Sequence, residues 1–155
     1  MREGEQAPDF DLPSSDGTSV SLSAFKGVKN VVLCFYPKNH LFMCPSKKVF
    51  KMAQSVIGAY SDITKADAVL FAISVDTVDD QKKFVQEYNI PYPHLSDATK
   101  ETCKRYAGLN VAGLAKRSTF IIDKNGTIRK IFRDIDVDAH GQEIAKALSD
   151  MNGIK

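Results

Sequence analysis

The sequence predicts an α/β fold, a central and largely parallel sheet covered by helices, built in the order β-α-β-α-β-β-α. Residues 30–37, Asn-Val-Val-Leu-Cys-Phe-Tyr-Pro, form a nearly continuous apolar run of β-branched and aromatic side chains. That is the pattern of a strand buried on both faces. Downstream the period changes: Val49, Phe50, Ala53, Val56, Ile57 and Tyr60 recur at three- and four-residue steps, the stripe of an amphipathic helix. Near the end, Asp123-Lys124-Asn125-Gly126 separates two short strand-like runs, and Asn-Gly there signals a hairpin.

The elements follow in order. Residues 7–13 read as an irregular polar extension, Ser14-Ser15-Asp16-Gly17 as a turn, and residues 18–22 as a short alternating strand. Residues 30–37 are the first core strand. Pro45 suits the first turn of the helix that follows, where its missing N–H costs nothing. Residues 68–75 form a second buried strand. Asp76 or Thr77 caps a helix that turns Phe84, Val85 and Tyr88 inward and stops before Ile90-Pro91. Residues 91–116 are an insertion with a short helix at 100–106. The hairpin strands occupy 118–122 and 127–132, and a helix over 139–151 carries Ile144, Ala147 and Leu148 on one side. Two parallel units, a hairpin and a terminal helix make the thioredoxin topology. No repeat, low-complexity tract or linker divides the chain, so one domain spans residues 1–155.

Composition narrows the function. Lys and Arg total 21 against 19 acidic residues, and with no basic block the chain lacks a nucleic-acid footprint. No stretch reaches the roughly 20 apolar residues of a membrane span. The polar N-terminus lacks the apolar core of an export signal, so a cytoplasmic location is expected. Three cysteines at irregular spacing do not make a disulfide framework. No Cys-x-x-Cys or Cys-x-x-x-Cys is present, and His94 and His140 have no metal-ligand spacing around them. His40 lies near Cys44, where a solvated loop histidine is the simpler reading.

Cys44 stands apart. It sits before Pro45, between the loop that follows the first core strand and the head of the amphipathic helix. Free backbone N–H groups and the helix dipole favour an anion there, which stabilises thiolate, the reactive form. Cys34, inside the apolar strand, reads as a packing residue.

Ala7-Pro8-Asp9-Phe10-Asp11-Leu12, Val31-Val32-Leu33-Cys34-Phe35-Tyr36-Pro37-Lys38 and Arg117-Ser118-Thr119-Phe120-Ile121-Ile122-Asp123 together resemble the peroxiredoxins, most closely the bacterioferritin-comigratory or peroxiredoxin Q branch. The resemblance runs from Gly4 to the final helix. It implies a thiol-dependent peroxidase acting on hydrogen peroxide or organic hydroperoxides, without metal, haem or flavin, as a monomer or homodimer. The family's site is Pro-x-x-x-Thr/Ser-x-x-Cys joined by an arginine from the start of a later strand. Pro37 matches the proline, Cys44 the peroxidatic cysteine and Arg117 the arginine. Pro37 would shield the thiolate, and Arg117 would hydrogen-bond the peroxide oxygens as charge shifts.

Two positions depart from the pattern. Leu41 replaces the family's Thr or Ser, whose hydroxyl bonds thiolate and peroxide; losing such a bond costs roughly 2.7–4 kcal/mol in comparable sites. Lys47 stands where the family usually carries a glutamate that holds the arginine. Neither usual resolving position holds a cysteine: the residue five beyond Cys44 is Val49, and residues 77–88 contain none. Cys103, in the later short helix, is the remaining resolving candidate. A one-cysteine mechanism is expected, with thioredoxin, glutaredoxin or glutathione as reductant. The alternative is a weakened peroxiredoxin-like redox sensor or binding protein.

Overall fold

A computed structural model describes residues 1–41, 44–45 and 47–152, with the backbone alone for residues 40, 41, 44, 45 and 47. The chain runs β1 (Asp11–Pro13), β2 (Ser19–Ser21), a 3-10 turn (Leu22–Phe25), β3 (Asn30–Phe35), β4 (His40–Leu41), β5 (Cys44–Pro45), α1 (Lys47–Lys65), β6 (Ala68–Ser74), α2 (Val78–Glu87), β7 (His94–Ser96), α3 (Glu101–Tyr106), β8 (Ser118–Ile122), β9 (Ile128–Phe132) and α4 (His140–Met151).

The core sheet has the order β7-β6-β3-β8-β9. β3 is its centre, parallel to β6 and antiparallel to β8, and all six of its residues are buried. Val32, Cys34 and Tyr36 face one layer, packed with Val49, Met52 and Val56 of α1, Phe84 of α2 and Ile144 and Leu148 of α4. Val31, Leu33 and Phe35 face the other, against Phe10, Leu12 and Leu22 of the N-terminal extension and Cys103 and Tyr106 of α3. Tyr106 stacks on Phe35 at 5.4 Å, and its hydroxyl donates to the Pro8 carbonyl, tying the extension down. The N-terminal segment is therefore structural, covering a sheet face that would otherwise be wet.

The predicted order holds, and the differences have local causes. β7 is a fifth, parallel strand within the expected insertion, and β1 pairs with β2 within the expected irregular extension. Each is three residues long, too short to show a period. Pro45 lies in the β4–β5 ladder rather than in the helix, which begins at Lys47. Thr77 is the cap of α2, accepting from the Asp80 N–H at 3.2 Å. The β8–β9 turn is held by the Asp123 carboxylate, which accepts from the Asn125 and Thr127 N–H groups at 2.9 and 3.0 Å. Gly126 takes φ +82°, the left-handed conformation that glycine reaches without strain.

α1 and α4 cross where Gly141 meets Ser55. The Gly141 N–H donates to Ser55 Oγ at 2.9 Å, and a Cβ on Gly141 would stand 2.1 Å from the Ser55 carbonyl oxygen. Backbone cannot yield as a flexible side chain can, so Gly141→Ala is expected to destabilise the fold by about 3 kcal/mol. The urea midpoint should fall at unchanged slope. A loss under about 0.5 kcal/mol, the range of neutral surface changes, would show that the helices separate freely.

Candidate active site

The chain leaves β3 at Tyr36 and returns in α1, and the sequence candidates cluster around that excursion. Pro37 is half-buried just beyond the strand. Leu41 and Cys44 are backbone partners in the β4–β5 ladder, as are His40 and Pro45. Cys44 lies three residues before α1, whose first turn holds Lys47 and Lys48 and no acid. The helix dipole is therefore left uncompensated at its positive end. The side chains of His40, Leu41, Cys44 and Lys47 lie outside the described residues.

Arg117 immediately precedes β8. One step beyond the Phe35–Ser118 pair of the β3–β8 ladder, it stands beside the point where the chain leaves β3. It lines an open depression with Lys48, Arg133 and Asp136, so helix start and arginine meet at one surface. Arg117 is half-buried, and burial pulls its pKa below the ordinary arginine value. Its Nε is fully buried with no hydrogen-bond partner among the described residues. A guanidinium with an unused donor is suited to bind an anion or a polarised oxygen.

The loop after Pro37 is anchored by a buried polar cluster that sequence reading missed. The Asn39 N–H donates to Asp76 Oδ2 at 2.9 Å, and Ser74 Oγ donates to the same oxygen at 2.5 Å. The Asn39 side chain donates to Gln81 Oε1 at 2.9 Å and accepts from the Tyr36 hydroxyl. That hydroxyl also meets His94 Nδ1 at 2.7 Å. Asp76 from the turn after β6 and Gln81 of α2 thus converge on one loop residue, with Ser74 of β6 and His94 of β7 joined to it through Asp76 and Tyr36, an arrangement that no spacing along the chain announces. The available signal was polar residues at strand boundaries, Ser74 and Asp76 where β6 ends and His94 where β7 begins.

The other two cysteines are sealed in. Cys34 is buried under α1, and desolvation pushes its thiol up to about 12 despite a hydrogen bond with Thr119. Cys103 lies on the opposite face of the sheet, and burial followed by the nearby Asp97 carboxylate raises its pKa well above the ordinary thiol value. Both stay protonated near neutral pH. His140 is buried, with Nε2 2.7 Å from Thr119 Oγ1 and Nδ1 3.2 Å from Glu143. Among the described residues no three His, Cys, Asp or Glu side chains converge to hold a metal, and no helix is long and apolar enough to cross a membrane.

Residues 4–131 match the AhpC/TSA family. Peroxiredoxin Bcp of Bacillus subtilis is 32% identical over 96% of this chain and 96% of its own length. The chloroplastic peroxiredoxin Q of Suaeda salsa is 34% identical over 97% of this chain and 69% of its own. The crystal structure of peroxidoxin BcpB from Mycobacterium tuberculosis superposes with a TM-score of 0.85 at 29% identity, covering 97% of this chain and 98% of that one.

Burial lowers the His94 pKa from 6.5 to about 3, so the folded chain keeps this ring neutral while the unfolded chain protonates it. Its stabilisation is complete above pH 6.5 and is lost as pH falls toward 3, by up to about 1.4 kcal/mol per pH unit. Burial moves His140 in the same direction, so the contribution of His94 is read as a difference. Urea unfolding at about pH 7 and pH 5 should show a shallower acid loss in His94→Phe than in the wild type. Parallel pH profiles would show that His94 titrates normally in the folded chain.

Proposed function

This chain belongs to the AhpC/TSA family of thiol-dependent peroxidases, and from that premise we propose that Cys44 is its peroxidatic nucleophile, working by a one-cysteine mechanism. The observation that carries the reading is the meeting of Arg117 with the start of α1 beside the end of β3, Cys44 preceding that helix by three residues. Cys44 thiolate attacks the terminal oxygen of hydrogen peroxide or an organic hydroperoxide. The S–O bond forms as the O–O bond breaks, and the departing oxygen takes a proton to leave as water or alcohol. Arg117 donates to the peroxide oxygens as negative charge moves onto the leaving oxygen. Pro37, without an N–H, keeps one side of the pocket free of a competing donor. The product at Cys44 is a sulfenic acid.

An external thiol completes the cycle. It condenses with the sulfenic acid to a mixed disulfide and water, and a second thiol releases Cys44. Thioredoxin, glutaredoxin and glutathione all supply that chemistry. The burial of Cys34 and Cys103 as protonated thiols supports an external rather than internal resolving group. We read the whole chain as one thioredoxin-like unit built around this site.

The direct opposition of Leu41 and Cys44 in the ladder favours one second reading, a slow peroxidase serving as a redox sensor. Stopped-flow oxidation by hydrogen peroxide separates the two. The wild type should react far faster than a free thiol and Cys44→Ser should not react; a wild-type rate at the free-thiol level would leave the sensor. After one equivalent of peroxide, mass spectrometry with a sulfenic-acid trap should find the adduct on Cys44. A Cys44–Cys103 disulfide as main product would replace the one-cysteine mechanism.

Leu41→Thr restores a hydroxyl opposite the nucleophile and is expected to speed oxidation roughly tenfold, about 1.4 kcal/mol of barrier. The gain is smaller than the loss on deleting such a group from an optimised site, because the neighbours have adjusted to leucine. An unchanged rate in a folded variant would place residue 41 away from the reacting sulfur.

A further inference from the structure

Arg117 belongs to a wider set of charges at the same depression. Lys48 comes to it from the first turn of α1, Arg117 from the residue before β8 and Arg133 from the residue after β9. The remaining wall is the strap between β9 and α4, where Asp134 and Asp136 alternate with Ile135 and Val137. Ile135 and Val137 pack on the core, so the alternation leaves both acidic residues exposed. Three cations and two carboxylates therefore share one open space of about 480 Å³. That lies within the roughly 300–1,000 Å³ of small-molecule sites.

These charges do not cancel one another. The ion pairs among the described residues are at Asp67, Asp123 and Glu143, and they use none of the five. Two of the five are nonetheless held in place. The Arg133 guanidinium lies 5.6 Å from the centroid of the Phe120 ring, and its Nη1 reaches the Ala107 carbonyl at 3.5 Å. Asp136 Oδ1 accepts from the Asp138 N–H at 3.1 Å, and the Asp136 carbonyl accepts from the Ala139 N–H at 3.1 Å. That turn leaves Asp136 Oδ2 without a hydrogen bond among the described residues. Charges of both signs, fixed apart along one wall, complement a ligand that also carries both signs.

We propose that this depression binds a small zwitterionic thiol of the glutathione type, whose two carboxylates pair with Lys48 and Arg133 and whose ammonium pairs with Asp136. The assignment rests on Cys44 as the nucleophile, and Lys48 is four residues beyond it in the chain. The neighbouring Lys48 and Arg117 favour the thiolate form of the bound thiol. Its sulfur attacks the sulfenic sulfur of Cys44; the S–S bond forms as the S–O bond breaks, and the hydroxyl takes a proton and leaves as water. A second thiol attacks the ligand sulfur of the mixed disulfide, releasing Cys44 as thiolate and the ligand as its disulfide. Two thiols are oxidised for each peroxide reduced. A neutral thiol gains nothing from these charges, and an anionic thiol without an ammonium is repelled by Asp134 and Asp136.

Binding is tested on the reduced full chain with S-methylglutathione, which has no free thiol. In nitrogen-15 spectra the amides of Lys48, Arg133 and Asp136 should shift and saturate, and 1 M salt, with a Debye length of about 3 Å, should weaken the binding. Asp136→Asn keeps an oxygen for the Asp138 N–H and should weaken S-methylglutathione about three- to fivefold, the range of an exposed ion pair. It should not change the binding of the N-acetylated analogue, which lacks the ammonium. Stopped-flow reduction of the sulfenic acid gives a second measure. At equal thiolate concentration glutathione should react at least about tenfold faster than mercaptoethanol, and that ratio should fall in Arg133→Gln. No saturable shift in the wild type, or thiols reacting by thiolate fraction alone, would overturn the site. Sulfenic acid forming on another cysteine while S-methylglutathione still binds would remove Cys44 as nucleophile and leave the binding site standing.

Discussion

Burial of β3 on both faces is the constraint on which the remaining structure depends. A strand with no wet side cannot carry polar side chains along its length without partners, and all six residues of β3 are buried. Asn30, at its start, donates to the Asn152 side chain at 3.3 Å, and Cys34 is held as a thiol bonded to Thr119. Groups that act on solvent-borne molecules must then gather at the strand's end. There the chain leaves the sheet, Arg117 arrives beside it on the neighbouring strand, and α1 begins. The proposed chemistry is thus placed by the same burial that stabilises the core.

Holding an irregular loop at that end requires hydrogen bonds that the sheet no longer supplies. Asp76, Ser74, Gln81, Tyr36 and His94 supply them, and each is buried. Such a cluster is costly unless every member is satisfied, because desolvated polar groups recover little from water. The cluster is ordered by acceptors that cannot change role, the Leu95 carbonyl and the amide oxygens of Gln81 and Asn39, and this sets the direction of each remaining bond. Rigidity in the loop ahead of Cys44 is thus built from behind the active site.

The three thiols stand in different surroundings. Cys34 and Cys103 lie on opposite faces of the sheet, each enclosed by apolar side chains, and burial is the largest influence on both. Cys44 precedes a helix whose first turn carries two lysines and no acid, and whose dipole is uncompensated. The proposed mechanism calls for one thiol that ionises readily and others that do not compete with it, and the burial of Cys34 and Cys103 serves the second requirement.

Much of this was legible in the sequence because it rests on local pattern. The apolar run at 30–37 and the three-four stripe after Pro45 announced a buried strand and a helix, and Asn125-Gly126 announced the hairpin, since period and turn chemistry are properties of neighbouring residues. Pro37 and Arg117 were singled out by the resemblance to the peroxiredoxins, and Cys44 by its place before the helix. The β7 and β1 strands were not, because three residues carry no period and their pairing depends on distant partners. Nor were the buried states of His94 and His140, the convergence of Asp76 and Gln81 on Asn39, or the contact of His94 with Tyr36, bonds that span 37 to 58 residues between partners. The sequence by itself determined the order of elements and which thiol stands at a helix head. Only the tertiary structure decided which polar groups are buried together, because desolvation and hydrogen bonding act between residues that are close in space and not along the chain.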